Sequence, residues 1–228
     1  MAAREILLLC SIPTLILSGW YYGWKFLKAR NYLLGIEWWV LGFSATNMFA
    51  YTATRLEVFG AITYFCDAFS RALGVPLIAM LGLMVVTHRF KPSHVVEALL
   101  FASAAIVATL ARTLWADAAG LQYFYIATSA AFTFYILYFI WRLARAGFSL
   151  HGAAMFVGIA AIWIVALWEG GFLQVPNEDN NLFLNLFFIA HIVWALFFAE
   201  IYYAYRALDR STGQEGPLGT TKAHLEVA

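Results

Sequence analysis

Seven apolar stretches, each long enough at roughly 20 residues to cross the hydrocarbon of a bilayer, follow one another with only short connections between them. Such a pattern leaves few structural choices. Backbone polar groups in lipid must be satisfied within the segment, so each stretch is predicted to be a helix. They run at about 5–27, 32–54, 57–87, 95–116, 120–143, 151–174 and 181–206. With 63% hydrophobic and 12% charged residues, the chain of 228 residues lies outside the range of soluble globular domains. The expected fold is all-α, a polytopic membrane bundle of seven transmembrane helices over 1–210. Residues 211–228 have too little apolar content to pack and read as a flexible cytoplasmic tail.

Lys and Arg concentrate in short cytoplasmic loops, which sets the orientation. Lys25, Lys28 and Arg30 follow the first stretch, Arg89 and Lys91 the third, Arg142 and Arg145 the fifth, Arg206 and Arg210 the seventh. The alternate connections carry Arg55 with Glu57, then Asp117, then Glu178 with Asp179. This alternation predicts an outside N-terminus and a cytoplasmic C-terminus. A cleaved signal peptide would place its positive charge before the apolar run rather than after it. The expected location is an integral membrane position, a bacterial inner membrane or its equivalent.

Against this apolar background six polar side chains stand out: Asn47, Asp67, Arg71, Arg112, Glu169 and His191. A charge at membrane depth is costly and marks a site hypothesis. At a rise of about 1.5 Å per residue, Asn47 lies roughly 10 Å below the outer surface, Asp67 and His191 about 15 Å, and Arg112 and Glu169 roughly 6–8 Å. Arg71 reaches about 21 Å, near the midplane. Five of the six thus share the outer half, and a common polar pocket there is the expectation. Tyr64, Asp67, Arg71 and Gly74 recur at three and four residues and share one helix face. One turn apart, Asp67 and Arg71 can neutralise each other, and Pro76 removes a backbone hydrogen bond close to the pair.

Each residue also has a plain structural reading. The Asp67/Arg71 pair can be a clamp between helices, His191 and Asn47 interhelical hydrogen-bonders, and Arg112 and Glu169 snorkelling interfacial charges. Their shared depth is what raises the set above its members. Aromatic residues make 18% of the chain, and many fall at stretch ends, where an interfacial belt is expected. Tyr51, Tyr64, Trp163, Trp168 and Trp194 instead overlap the polar set in depth. A wall of such rings suits a lipophilic guest and can stabilise a cation.

Absent residues exclude several classes. Lys25, Lys28, Lys91 and Lys222 are the only lysines, and none lies deep in the last stretch to carry a retinal Schiff base. His191 is the single histidine away from a cytoplasmic end, which argues against bis-histidine haem. Cys10 and Cys66 have no metal spacing and read as free buried thiols. No cofactor and no metal are expected. A net charge of +1 with scattered basic residues gives no nucleic-acid patch, and no internal repeat supports an inverted-repeat transporter.

The Asn47-x-x-Ala-Tyr51 stretch, the Tyr64-Phe-Cys-Asp67 stretch and Gly147-Phe-Ser-Leu before a small-residue span, with seven short-looped spans, resemble the small integral-membrane terpene cyclases of meroterpenoid pathways. That resemblance implies acid-initiated ring closure, in which a carboxylic acid protonates an epoxide or alkene and aromatic rings shield the cation. The family carries Trp-Glu where this chain has Ala50-Tyr51, and the Trp-Glu found here, Trp168-Glu169, stands four spans later. Glu200-Ile-Tyr-Tyr-Ala-Tyr resembles the family's acidic residue near the end of the last span.

Two functional expectations follow. The first is a membrane enzyme, of a cyclase or isomerase-type lyase kind, acting on an isoprenoid-like substrate. Asp67, Glu169 and His191 would then be catalytic, and Asn47, Tyr51, Tyr64, Arg71, Arg112, Trp163, Trp168 and Trp194 would bind substrate. The second is a transporter or receptor-like binder using the Asp/Arg/His set for a polar solute or protons. Membrane lipid and a lipophilic small molecule are the expected partners, with no nucleic acid.

Overall fold

A computed structural model describes residues 3–115, 119–175 and 184–214, and these form helices joined by short connections. In chain order they are α1 (Ala3–Lys28), α2 (Tyr32–Thr54), α3 (Glu57–Thr87), α4 (His94–Trp115), α5 (Ala119–Arg145), α6 (Ser149–Glu169) and α7 (Leu186–Gln214). Among the described residues five of them, α3 to α7, are long and apolar enough to cross a membrane. In α2 Glu37, Asn47 and the Trp38–Trp39 pair lower the apolar character.

The first three helices keep their expected bounds closely, and local chemistry explains where the others differ. α6 stops at Glu169, short of 174, because Gly170 and Gly171 follow and Gly171 takes φ +74, a left-handed conformation that favours glycine. The start expected at 181 falls among residues outside the described set. α7 begins at Leu186, where the Asn185 side-chain oxygen accepts the Phe188 amide at 3.2 Å as an N-cap. At its other end α7 runs to Gln214, so helix continues past residue 210, and the rest of the expected tail, 215–228, lies outside the described residues.

Helix α3 is the central element. More than half of its span is buried, 56%, against 17–28% for α4 to α7. It packs against α2, α4, α5 and α7. Two apolar cores lie around it. Phe26, Trp38, Leu83, Phe139, Phe197 and Phe198 form the larger, and Leu33, Phe69, Ile78 and Ala104 a smaller one toward α4. Outward faces carry Leu17, Phe134, Leu150, Val157 and Leu196 in the open, the pattern of a bundle surrounded by lipid.

Close backbone approach joins α1 to α2. A Cβ placed on Gly19 would stand 2.6 Å from Gly42 Cα, so only glycine allows this crossing. Asn31 locks the same hairpin to α3. Its Oδ1 accepts the Leu34 amide at 3.2 Å, and its Nδ2 donates to the Gly82 carbonyl at 2.8 Å.

α3 itself changes register. It is α-helical over Glu57–Phe69, π-helical over Ser70–Ala79 and α-helical again over Met80–Thr87. Pro76 has no N–H, and in the π register that missing donor would have served the carbonyl five residues back, that of Arg71. Thr128 of α5 supplies the replacement, its hydroxyl donating to the Arg71 carbonyl at 3.2 Å. Instead of a simple kink, Pro76 is accommodated by a widened turn that is completed from a neighbouring helix.

Candidate functional site

Arg71 is the organising residue. Its Nε donates to Asp67 Oδ1 at 2.9 Å, one turn away, as the spacing on α3 predicts. Its two terminal nitrogens reach across to the end of α6 and hold Glu169 in a fork, Nη1 to Oε2 at 2.9 Å and Nη2 to Oε1 at 2.7 Å. Paired parallel bonds of this kind are the strongest geometry for guanidinium and carboxylate.

Helix α5 positions both partners. Thr128 bonds the Arg71 carbonyl, and Gln122, six residues earlier on α5, donates from Nε2 to the Gly170 carbonyl at 2.8 Å. One helix thereby fixes the backbone of the cation and the backbone that follows Glu169. Arg112 of α4 stacks its guanidinium 3.7 Å from the centroid of the Tyr64 ring, one turn before Asp67. Tyr125 of α5 stands within electrostatic reach of Asp67, Arg71, Tyr64 and Arg112. Tyr125 falls near a stretch end like many of the aromatic residues, and its position three residues before Thr128, on the same α5 face, is the signal in the sequence that sets it apart.

This cluster is not sealed. The side chains of Arg71, Asp67 and Glu169 are 39%, 46% and 37% exposed, and Tyr64 is also exposed. Asp67 engages Arg71 through Oδ1. Glu169 commits both oxygens. Among the described residues Asp67 is therefore the carboxylate of the cluster with one oxygen not engaged by it.

The remaining sequence candidates bond elsewhere. His191, 6% exposed, pairs its Nδ1 with Ser11 Oγ of α1 at 3.0 Å. Asn47 turns back on its own helix, donating from Nδ2 to the Phe43 carbonyl at 2.8 Å. The Tyr51 ring lies over Gly60, at the junction of α2 and α3. Trp194 packs on Phe198 with ring centroids 5.2 Å apart, as part of the larger core. Trp163 donates its indole N–H to Thr133 Oγ1 at 2.9 Å, joining α6 to α5. Trp168 is buried next to Glu169 in sequence. The structure thus brings together Tyr64, Asp67, Arg71, Arg112 and Glu169 from α3, α4 and α6.

Glu37, which sequence reading passed over, is fully buried on α2. The buried Ser70 hydroxyl stands beside it and is the one polar group that interacts with the carboxyl among the described residues, without a well-formed hydrogen bond. Gly74 makes room for the carboxyl group, since a Cβ there would stand 2.8 Å from Glu37 Cδ. Ser70 and Gly74 both belong to the π-helical part of α3, so the register change serves two sites, with Arg71 turned toward α6 and Gly74 toward α2. The signal was a single Glu among apolar residues in Gly35-Ile-Glu-Trp-Trp39, masked by its closeness to the expected cytoplasmic end.

No family model, no curated protein and no solved structure matches this chain.

Proposed function

We propose that this chain is a seven-span integral membrane enzyme, N-terminus outside and C-terminus cytoplasmic, acting on a lipophilic, isoprenoid-like substrate at the Asp67–Arg71–Glu169 cluster. The observation that carries this reading is the partial exposure of three charged side chains in helices otherwise coated with apolar residues. Hydrocarbon alone cannot face such groups, because polar residues at this depth turn to the interior or to a wet cavity. α4 and α5 are consecutive yet touch only sparsely, which suits a lateral entry for a substrate dissolved in the membrane.

The chemistry we assign is proton transfer to carbon or to an epoxide oxygen. Asp67 delivers a proton from its free oxygen to the substrate, and the resulting cation loses a proton from a neighbouring carbon back to the same carboxylate. Reactant and product then have the same composition. Arg71 stays neutralised by Glu169 while Asp67 is in its acid form, and the rings of Tyr64 and Tyr125 face the developing cation. This is the chemistry that the terpene-cyclase resemblance implies, moved from the family's acid to Asp67.

Comparing lipid extracts of membranes with and without the protein tests it. One lipophile should be depleted and a product of equal mass should appear, and Asp67→Asn should abolish the conversion by about 100-fold or more, the scale of a lost general acid. An unchanged lipid profile, or a fully active Asp67→Asn protein, defeats the proposal.

Proton-coupled transport is the second reading, and Glu37 is the observation that favours it. A fully buried carboxyl group with only a serine hydroxyl beside it is the type of residue that membrane proton relays use. Glu37→Gln should then abolish proton movement in proteoliposomes loaded with a pH dye; under the enzyme reading it leaves the conversion intact.

A further inference from the structure

At the opposite end of the bundle a cavity of about 260 Å³ opens between α1, α6 and α7, lined by Lys25, His151, Tyr202, Tyr203, Arg206 and Arg210. Its charge is lopsided. Arg206 bonds Asp209 at 2.9 Å and His151 bonds Glu200 at 2.7 Å, so the nearby carboxylates are already engaged. Lys25 is held over aromatic faces, 4.3 Å from the Tyr21 centroid and 4.9 Å from that of Tyr202, without a carboxylate partner among the described residues. Arg210 is exposed and likewise has no carboxylate partner among them. Two uncompensated cations therefore meet tyrosine hydroxyls around one concave space.

We propose that this cavity binds a phosphate group, and specifically the phosphodiester of an anionic phospholipid of the surrounding leaflet. A basic pocket between helix ends at the membrane surface is the recurring form of such a site. The volume accommodates a phosphate and a glycerol but no acyl chain. The chains have a path outside: Leu196 and Tyr203 lie two turns apart on one face of α7, and Leu17, Tyr21 and Trp24 share a face of α1, all exposed. An acyl chain laid along these faces continues from the cavity toward the membrane interior, which a free phosphate cannot exploit. These residues are separate from the Asp67 cluster, so either proposal can fail without the other.

Native mass spectrometry of the full chain, equilibrated in detergent with equal amounts of phosphatidylglycerol and phosphatidylcholine of matched acyl chains, tests the site. The wild type should retain phosphatidylglycerol in preference. Arg210→Gln, a change at an exposed position that leaves folding intact, should reduce that preference about fivefold, the effect of one basic residue at an anionic surface. Arg210→Lys should keep most of it, and Lys91→Gln, at an exposed position in the connection between α3 and α4 that does not line the cavity, should change nothing. Displacement of the lipid by millimolar inorganic phosphate, with the same dependence on Arg210, supports the phosphate site with the free anion as ligand. Equal retention of the two lipids by the wild type together with no phosphate binding, or an Arg210→Gln protein indistinguishable from wild type, overturns the proposal.

Discussion

At the scale of single residues, each charge in the central helix matters through what it leaves behind when removed. Arg71 serves two carboxylates, so Arg71→Met strands both Asp67 and Glu169. Breaking an ion pair from one side is more damaging than replacing the whole group by neutral residues. The single variant should therefore lower the unfolding temperature in detergent, and the triple variant Arg71→Met, Asp67→Asn, Glu169→Gln should recover most of that loss. A triple variant no more stable than the single one would show that the charges are not held as one unit. Gly74 makes a second case. Gly74→Ala drives a methyl group into the Glu37 carboxyl and should cost about 1–3 kcal/mol, the usual range for overpacking. Shortening the partner relieves the clash, so Glu37→Ala in the same chain should return part of that cost, giving a coupling of about 1 kcal/mol between neighbours. Additive effects in reversible unfolding would separate the two residues.

At the scale of elements, α3 shows how a proline can be kept in the middle of a buried helix. Its π register lets Thr128 stand in for the missing donor and leaves Ser70 and Gly74 turned to α2 while Arg71 turns to α6. Thr128→Val removes that hydroxyl and should cost about 1 kcal/mol, the net worth of an ordinary hydrogen bond. Pro76→Ala restores an N–H to serve the Arg71 carbonyl, and in that background Thr128→Val should cost close to nothing. Equal costs in both backgrounds would mean that the threonine acts independently of the proline. The α5 helix gains its importance in the same way, since Gln122 and Thr128 hold the two ends of the ion cluster at a set separation.

At the scale of the whole molecule, the charge pattern and the helix order together define two ends with different chemistry. One end gathers Asp67, Arg71, Arg112 and Glu169; the other gathers Lys25, Arg206 and Arg210 about a cavity. In the orientation we propose from the positive-inside rule, the second end faces the cytoplasm. Single cysteines introduced as Lys28→Cys and Leu173→Cys, in a chain lacking Cys10 and Cys66, check this directly. In intact cells a membrane-impermeant maleimide should label position 173, and position 28 only after permeabilisation. The reverse pattern would turn the bundle over and place the lipid site in the other leaflet.

Sequence by itself determined the helices, because a run of apolar residues that must satisfy its own backbone has one solution, and Glu57–Thr87 and His94–Trp115 stand where hydropathy puts them. It also determined the Asp67–Arg71 pair, since four residues along a helix bring two side chains together whatever surrounds them. Only the tertiary structure decided which remote groups meet. A shared outer half put His191 and Glu169 in one expected pocket, yet depth says nothing of the angle around the bundle, and His191 turned to Ser11 on α1 while Glu169 closed on Arg71. Glu37 escaped notice for a related reason. Its burial depends on a glycine in another helix and on a register change that no periodicity in α2 could announce.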